Sequence, residues 1–189
     1  MRYGIKSVTM DDVSHELGIS KKTLYQYFDN KDLLVRKVTA NHFNCQKHDI
    51  DQIIAQSRTA IDELIGIANW MNRMSQHLNP SLLFDLRKYH PESWAVFHEH
   101  RNTHILNCIL QNMHRGIREG LYRPDINVEV LSRIYIARVE MFLDNEIFPY
   151  DRFRPDQTFH VFMDYHIHGI ATAKGIKYLE KLKPQKHVA

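Results

Sequence analysis

The twenty residues from Thr9 to Phe28 constrain what this chain can fold into more tightly than any other stretch. Gly18 stands near their centre, and four positions before it the chain places a small residue, Ser14. Two short helices that cross at a tight turn need both: glycine takes the positive φ of the turn, and a small side chain at the crossing lets the backbones approach. Apolar or aromatic residues fall at Val13, Leu17, Ile19, Leu24 and Tyr27, the positions expected to be buried in this register. Thr9 with Asp12 reads as a capping box, Ser20 as the cap of a second helix, and Asp29 with Asp32 as the start of a third. The pattern predicts a helix-turn-helix, with helices near 9–17 and 21–28 and with Leu24 and Phe28 facing inward.

Downstream, apolar residues recur mostly at spacings of three and four, and no Asn-Gly or Asp-Gly turn joins strand-like segments. The expected fold class is all-α, an N-terminal helix-turn-helix head joined to a larger helical body. Asn79-Pro80 and His90-Pro91 set proline in the first turn of new helices, Gly120 and Pro124 close one, and Pro149 to Pro155 form a break. Further helices are predicted near 31–52, 58–78, 80–89, 91–119, 127–145 and 157–182. The head takes residues 1–47 and the body 48–189. Because no Gly-, Pro- or Ser-rich linker separates them, the boundary falls inside the long helix that opens at Lys31, and the two are expected to move together.

Composition narrows the function. Only 7 Gly and 6 Pro exclude collagen and a Gly-rich phosphate loop. No run approaches the roughly 18 residues of a membrane helix, and the N-terminus shows no apolar leader, so a cytoplasmic protein with no membrane partner is expected. Cys45 and Cys108 form no CxxC pair and are expected to be reduced. The net charge of +3 is concentrated: residues 1–47 hold eight Lys/Arg against five Asp/Glu, while the rest carries 17 of each. A basic head on a neutral body fits a nucleic-acid contact region.

The second helix of the pair, from Lys21 to Phe28, would enter a major groove with its N-terminal end leading. Lys21 and Lys22 suit phosphates or guanine edges, Gln26 suits adenine, and Thr23 suits a thymine methyl or a phosphate. Tyr25 suits a phosphate or a base. Tyr27 reads either as a core ring whose hydroxyl reaches the surface or as a DNA contact.

The string VTMDDVSHELGISKKTLYQYFDNKDLLV resembles the DNA-binding segment of the tetracycline-repressor (TetR/AcrR) family of transcription regulators. The resemblance covers about 30 residues, and Gly116 to Asp125 resembles a segment that precedes the penultimate long helix in many members. It implies that Thr9 touches a phosphate, that Lys21, Lys22, Thr23, Tyr25 and Tyr27 face DNA, and that Lys31 binds a phosphate at the next helix start. It also implies a homodimer on a double-stranded DNA operator and a small-molecule effector of unknown identity in the body. Members carry one more helix before the position of Tyr3-Gly4, so the head is expected to lack its first helix and to leave Val8, Val13 and Leu17 short of a packing partner.

In the body, large adaptable side chains suit a ligand cavity: Trp70, Met74, Trp94, Phe97, Met113 and Tyr135, with Arg138 and Glu140 as polar anchors. Gly169, Thr172, Ala173 and Ile176 form a small-residue stripe on the last predicted helix, which fits a dimer seam or close packing within one chain. His160, Asp164 and His168 recur at i, i+4, i+8, but the end ligands lie about 12 Å apart, too far for one ion, so no metal or cofactor is expected. No nucleophile motif supports an enzyme. The expected protein is a ligand-responsive regulator, a repressor, without catalytic activity. The alternatives are a helical small-molecule-binding or interaction protein with a non-functional head, and a His-dependent metalloenzyme.

Overall fold

A computed structural model describes residues 4–75, 81–141, 147–149 and 151–182. Among these the structure is helical, with one isolated antiparallel bridge between Tyr122 and Ala171 and no strand. The helices are α1 (Met10–Glu16), α2 (Lys21–Tyr27), α3 (Lys31–Gln56), α4 (Ala60–Ser75), α5 (Ser81–Tyr89), α6 (Pro91–His100), α7 (Leu106–Arg118), α8 (Val128–Met141), α9 (Pro155–Ile170) and α10 (Ala173–Leu182). They form two compact units. The first comprises Met1–Asp49 and His77–His104, the second Ile50–Gln76 and Ile105–Ala189.

In the first unit, α5 and α6 pack with the head. Phe43 on α3 stacks on His100 with centroids 4.8 Å apart and meets Phe97, which also contacts Trp94. His90, almost fully buried before α6, places its ring Nδ1 2.6 Å from Asp32 Oδ1 in the first turn of α3. These are long-range contacts that no local pattern announces.

The second unit is built around Ile61, Leu64, Leu121, Tyr122, Phe162, Met163, Ile167, Ile170 and Leu179. A buried polar network ties α4 to α7: Asn112 and the Tyr122 hydroxyl both donate to the Ala60 carbonyl, and Arg115 reaches Glu63, Glu119 and the Ser57 carbonyl. Such groups are affordable inside a protein only when each finds a partner. Burial is the main influence on the Glu63 carboxyl and raises its pKa, against hydrogen bonding from Asn112 and the charge of Arg115.

Two predicted helices differ from the observed ones. The 91–119 helix is interrupted by a π-helical turn at Arg101–Ile105, where Thr103 Oγ1 bonds back to the Glu99 carbonyl at 2.7 Å. The 157–182 helix is broken at Ala171, whose extended backbone bridges the chain at Tyr122: Arg123 N–H donates to Ile170 and Thr172 N–H to Leu121. Thr172 then turns its hydroxyl to the Gly120 carbonyl at 2.8 Å and accepts from Gly175 N–H, restarting the helix. Gly175 lies directly against the Leu121 carbonyl, where a Cβ has no room, so this glycine serves packing within the chain. The sequence from Gly169 to Ile176 is therefore not one helical stripe.

Candidate nucleic-acid interface

Local chemistry builds the head. The Thr9 hydroxyl accepts from Asp12 N–H at 3.1 Å while Asp12 accepts from Thr9 N–H at 2.8 Å, completing the capping box. The Thr9 hydroxyl, donating to Asp12 Oδ2 at 2.7 Å, and then Thr9 N–H hold the Asp12 carboxyl below its usual pKa. At the far end Ile19 N–H reaches back to Ser14 O at 3.0 Å and Gly18 N–H to His15 O at 3.1 Å, with Gly18 at φ +65°. This is a Schellman stop, and it needs a left-handed residue at that position. Ser20 caps α2 by accepting from Thr23 N–H at 3.0 Å.

Three positions expected in the core lie at the surface. Leu17 is 61% exposed, Ile19 is exposed, and the Tyr27 ring is 74% exposed, which rules it out as a core ring. The reason is that α1 turns its Met10 and Ser14 side inward and α2 anchors through Leu24, only 2% exposed; Val8, Val13 and Phe28 are half-buried. A pair of seven-residue helices has one inward stripe each, and Leu17 and Ile19 flank the turn outside it.

The residues assigned to DNA fall into two groups. Lys22, Tyr25 and Gln26, spaced i, i+3, i+4, share one exposed face of α2, with Tyr27 beside it and Thr23 half-buried. The others hold partners within the chain. Thr9 is occupied as a cap, Thr23 Oγ1 lies 2.8 Å from Ser20 Oγ, and Lys21 pairs with Asp11 at 2.7 Å, which raises the lysine pKa. Lys31 donates to the Ile5 carbonyl at 2.7 Å and the Lys6 carbonyl at 3.3 Å.

The residues assigned to a ligand are divided between the units. Trp94 and Phe97 belong to the first. In the second, Trp70 and Met113 are buried, Met74 is half-buried, and Tyr135 and Arg138 come together around Phe162: Tyr135 donates to Met163 Sδ and Arg138 lies 5.2 Å over the Phe162 ring. His166, against Tyr135 and Phe162, is pushed down to a pKa of about 4, chiefly by burial. Periodicity alone missed it, although it follows Phe162 at i+4. The Glu140 side chain lies outside the described residues. In the His160, Asp164 and His168 series, His168 bonds to the Asp164 carbonyl at 2.7 Å.

Of the residues expected at a dimer seam, Gly169 and Ala173 are exposed, and a Cβ on Gly169 would meet open space. Thr172 is committed to the 120–121 carbonyls, and Ile176 packs on the core of the second unit.

An exposed reading face on the second of two helices crossing at a glycine turn, in an all-helical chain, defines a helix-turn-helix DNA-binding protein. The family described as bacterial regulatory proteins, tetR family, matches residues 1–38. The chain is 26% identical over 168 residues to the HTH-type transcriptional regulator YvaF of Bacillus subtilis, covering 87% of this chain and 86% of that protein. It is 21% identical over 133 residues to the HTH-type transcriptional repressor KstR2 of Mycolicibacterium smegmatis, covering 69% of this chain and 65% of the repressor. The structure of the regulator FadR from Bacillus subtilis in complex with stearoyl-CoA superimposes with a TM-score of 0.65 at 15% identity, covering 88% of this chain and 90% of that one. Residues 1–38 thus match the DNA-binding segment of the tetR family, and most of the chain is similar to an HTH-type transcriptional regulator. No helix among the described residues is long and apolar enough to cross a membrane.

Proposed function

We propose that this regulator is a ligand-responsive repressor that binds a palindromic operator as a homodimer, acts in the cytoplasm and carries no catalytic step of its own. Residues 1–47 read DNA, and 48–189 hold the effector and the dimer seam. The observation that carries the reading is the Lys22, Tyr25 and Gln26 face, held outward by buried Leu24. Lys22 and Tyr25 take phosphates or base edges and Gln26 an adenine. Lys21, Thr9 and Lys31 reach phosphates by exchanging the partners they hold in the free chain.

Exposed apolar side chains support the homodimer: Val130 and Ile134 lie at i, i+4 on α8, and Val161 and Tyr165 at i, i+4 on α9, with exposed Gly169 one turn on. An isologous seam through these helices matches a two-fold operator. Repression follows the relative KstR2, and a small-molecule effector is supported by FadR's complex with stearoyl-CoA. Recognition helices must lie roughly 34–36 Å apart to reach successive major grooves. An effector that favours another spacing through α3 releases the operator, to the extent of its differential affinity for the two states.

The test is an anisotropy titration on the DNA flanking the gene. Lys22→Ala with Tyr25→Ala should lose specific binding and keep its helical circular dichroism. Unchanged affinity in that variant rejects the head as a DNA reader and leaves a helical ligand-binding or interaction protein.

A further inference from the structure

Three lysines are linked where the head packs on α5, within the first unit. Lys31, the first residue of α3, holds the chain before α1 by donating to the carbonyls of Ile5 and Lys6 at 2.7 and 3.3 Å. The Lys6 backbone N–H donates in turn to Asp85 Oδ2 on α5 at 3.0 Å. The Lys6 ammonium then lies 4.9 Å from the centroid of the Tyr89 ring, and Lys88 reaches the same ring at 5.5 Å and the exposed Phe84 ring at 5.2 Å. Two lysines from different segments thus share one aromatic ring.

Nearby carboxylates do not neutralise them. Asp85 is taken by the Lys6 backbone, Asp32 by His90 at 2.6 Å, and Glu92 by Arg36 at 3.1 Å. Among the described residues no ion pair involves the ammonium of Lys6 or Lys88. Cation–π contacts with the half-buried Tyr89 ring cancel neither of the two like charges held there. The Tyr89 hydroxyl registers the field: hydrogen bonding from Lys6, then the charges of Lys6 and Lys88, lower its pKa.

Position tells which anion fits. Lys6 precedes the α1 cap Thr9 by three residues, and Lys31 follows the α2 cap Phe28 by three, so the cluster frames both ends of the helix-turn-helix. We infer that Lys6 and Lys88, beside Lys31, form a phosphate-binding patch that carries the DNA contact from the head onto α5, where it grips the backbone flanking the base pairs read by α2. The inference rests on the DNA-binding reading of the head. The partner is duplex DNA, recognised by charge and not by sequence.

Phosphate contacts are counted by salt: each adds about 0.9 to the slope of log affinity against log salt on B-form DNA. Wild type, Lys6→Gln/Lys88→Gln, Lys88→Gln, Lys22→Ala and a control Lys177→Gln on α10 are titrated by anisotropy on a random-sequence duplex of about 40 base pairs, long enough to overrun any one site. Per bound protomer, and so twice over for a homodimer with both heads engaged, the slope should fall by nearly 2 in the double variant, by about 1 in Lys88→Gln and in Lys22→Ala, and not at all in the control. An unaltered slope in the double variant, with Lys22→Ala still showing its loss, overturns the patch and leaves the head a DNA reader. Unaltered slopes in both reject the head itself. Should the double variant lose helicity, Lys88→Gln alone decides by the same criterion, since Lys88 is exposed and reaches the Phe84 and Tyr89 side chains from the surface. Polyglutamate displacing the wild type as well as equally charged duplex does would assign the patch to acidic proteins and overturn the proposal.

Discussion

Leu24 and Leu17 are both leucines of the helix-turn-helix pattern, yet they have opposite energetic weight. Leu24 is nearly sealed from water, so Leu24→Ala should cost about 2–5 kcal/mol, the range for a large-to-small change in a packed site. Leu17 is mostly in solvent, and Leu17→Ser should stay within about 0.5 kcal/mol. Denaturant midpoints of the two variants check this, and equal losses would mean that Leu17 is covered in solution. Gly18 is set by backbone geometry and not by space, since nothing lies within 4 Å of where its Cβ would stand. Gly18→Ala should therefore cost about 1–2 kcal/mol for a left-handed alanine, and Gly18→Asn less. A Gly18→Ala variant as stable as the wild type would show that the turn can relax to negative φ.

At the scale of elements, the break between α9 and α10 assigns different roles to two glycines that look alike in sequence. Gly175 sits against the Leu121 carbonyl, so Gly175→Ala should force α10 off the 121–123 segment and lower the melting temperature. Gly169 faces open space on a helix, so Gly169→Ala should raise helix stability by up to about 1 kcal/mol in an isolated chain. Gly169→Leu in turn should weaken a seam formed through α9, and sedimentation would show a shift toward monomer. An intact dimer in that variant would move the seam away from α9. The capping box at Thr9 and the stop at Gly18 were readable because each closes within five residues. The helix break at Ala171 was not, because its cause is a bridge to Tyr122, some fifty positions earlier.

For the whole molecule, acid should act through half-buried histidines in both units. His100, desolvated and then opposed by the charges of His104, His42 and Lys47, is lowered to a pKa of about 4, and so is His166. A depressed folded pKa favours the neutral ring, so this stability is fully present above the ordinary value of 6.5 and is lost as pH falls toward 4. Glu63 runs the other way: its raised pKa means that its contribution is present below 4.5 and fades as pH rises. The two histidine shifts are large and share one sign, so the denaturation midpoint should fall between about pH 7 and about pH 5. His100→Gln with His166→Gln should flatten that fall. A wild-type midpoint indifferent to pH over this range would show both rings to be solvated.

The sequence by itself determined the caps, the glycine turn, the basic head and the helical periods. All of these depend on residues a few positions apart, and the physics of a helix end or a turn acts over that range. Tertiary structure alone decided which apolar residues the turn hides, why Lys31 faces two carbonyls, which charges His90 and Lys6 recruit on α3 and α5, and where the last helix breaks. Those outcomes depend on partners brought together from distant segments, and a buried polar group or a packed glycine takes its meaning from whatever the fold sets beside it.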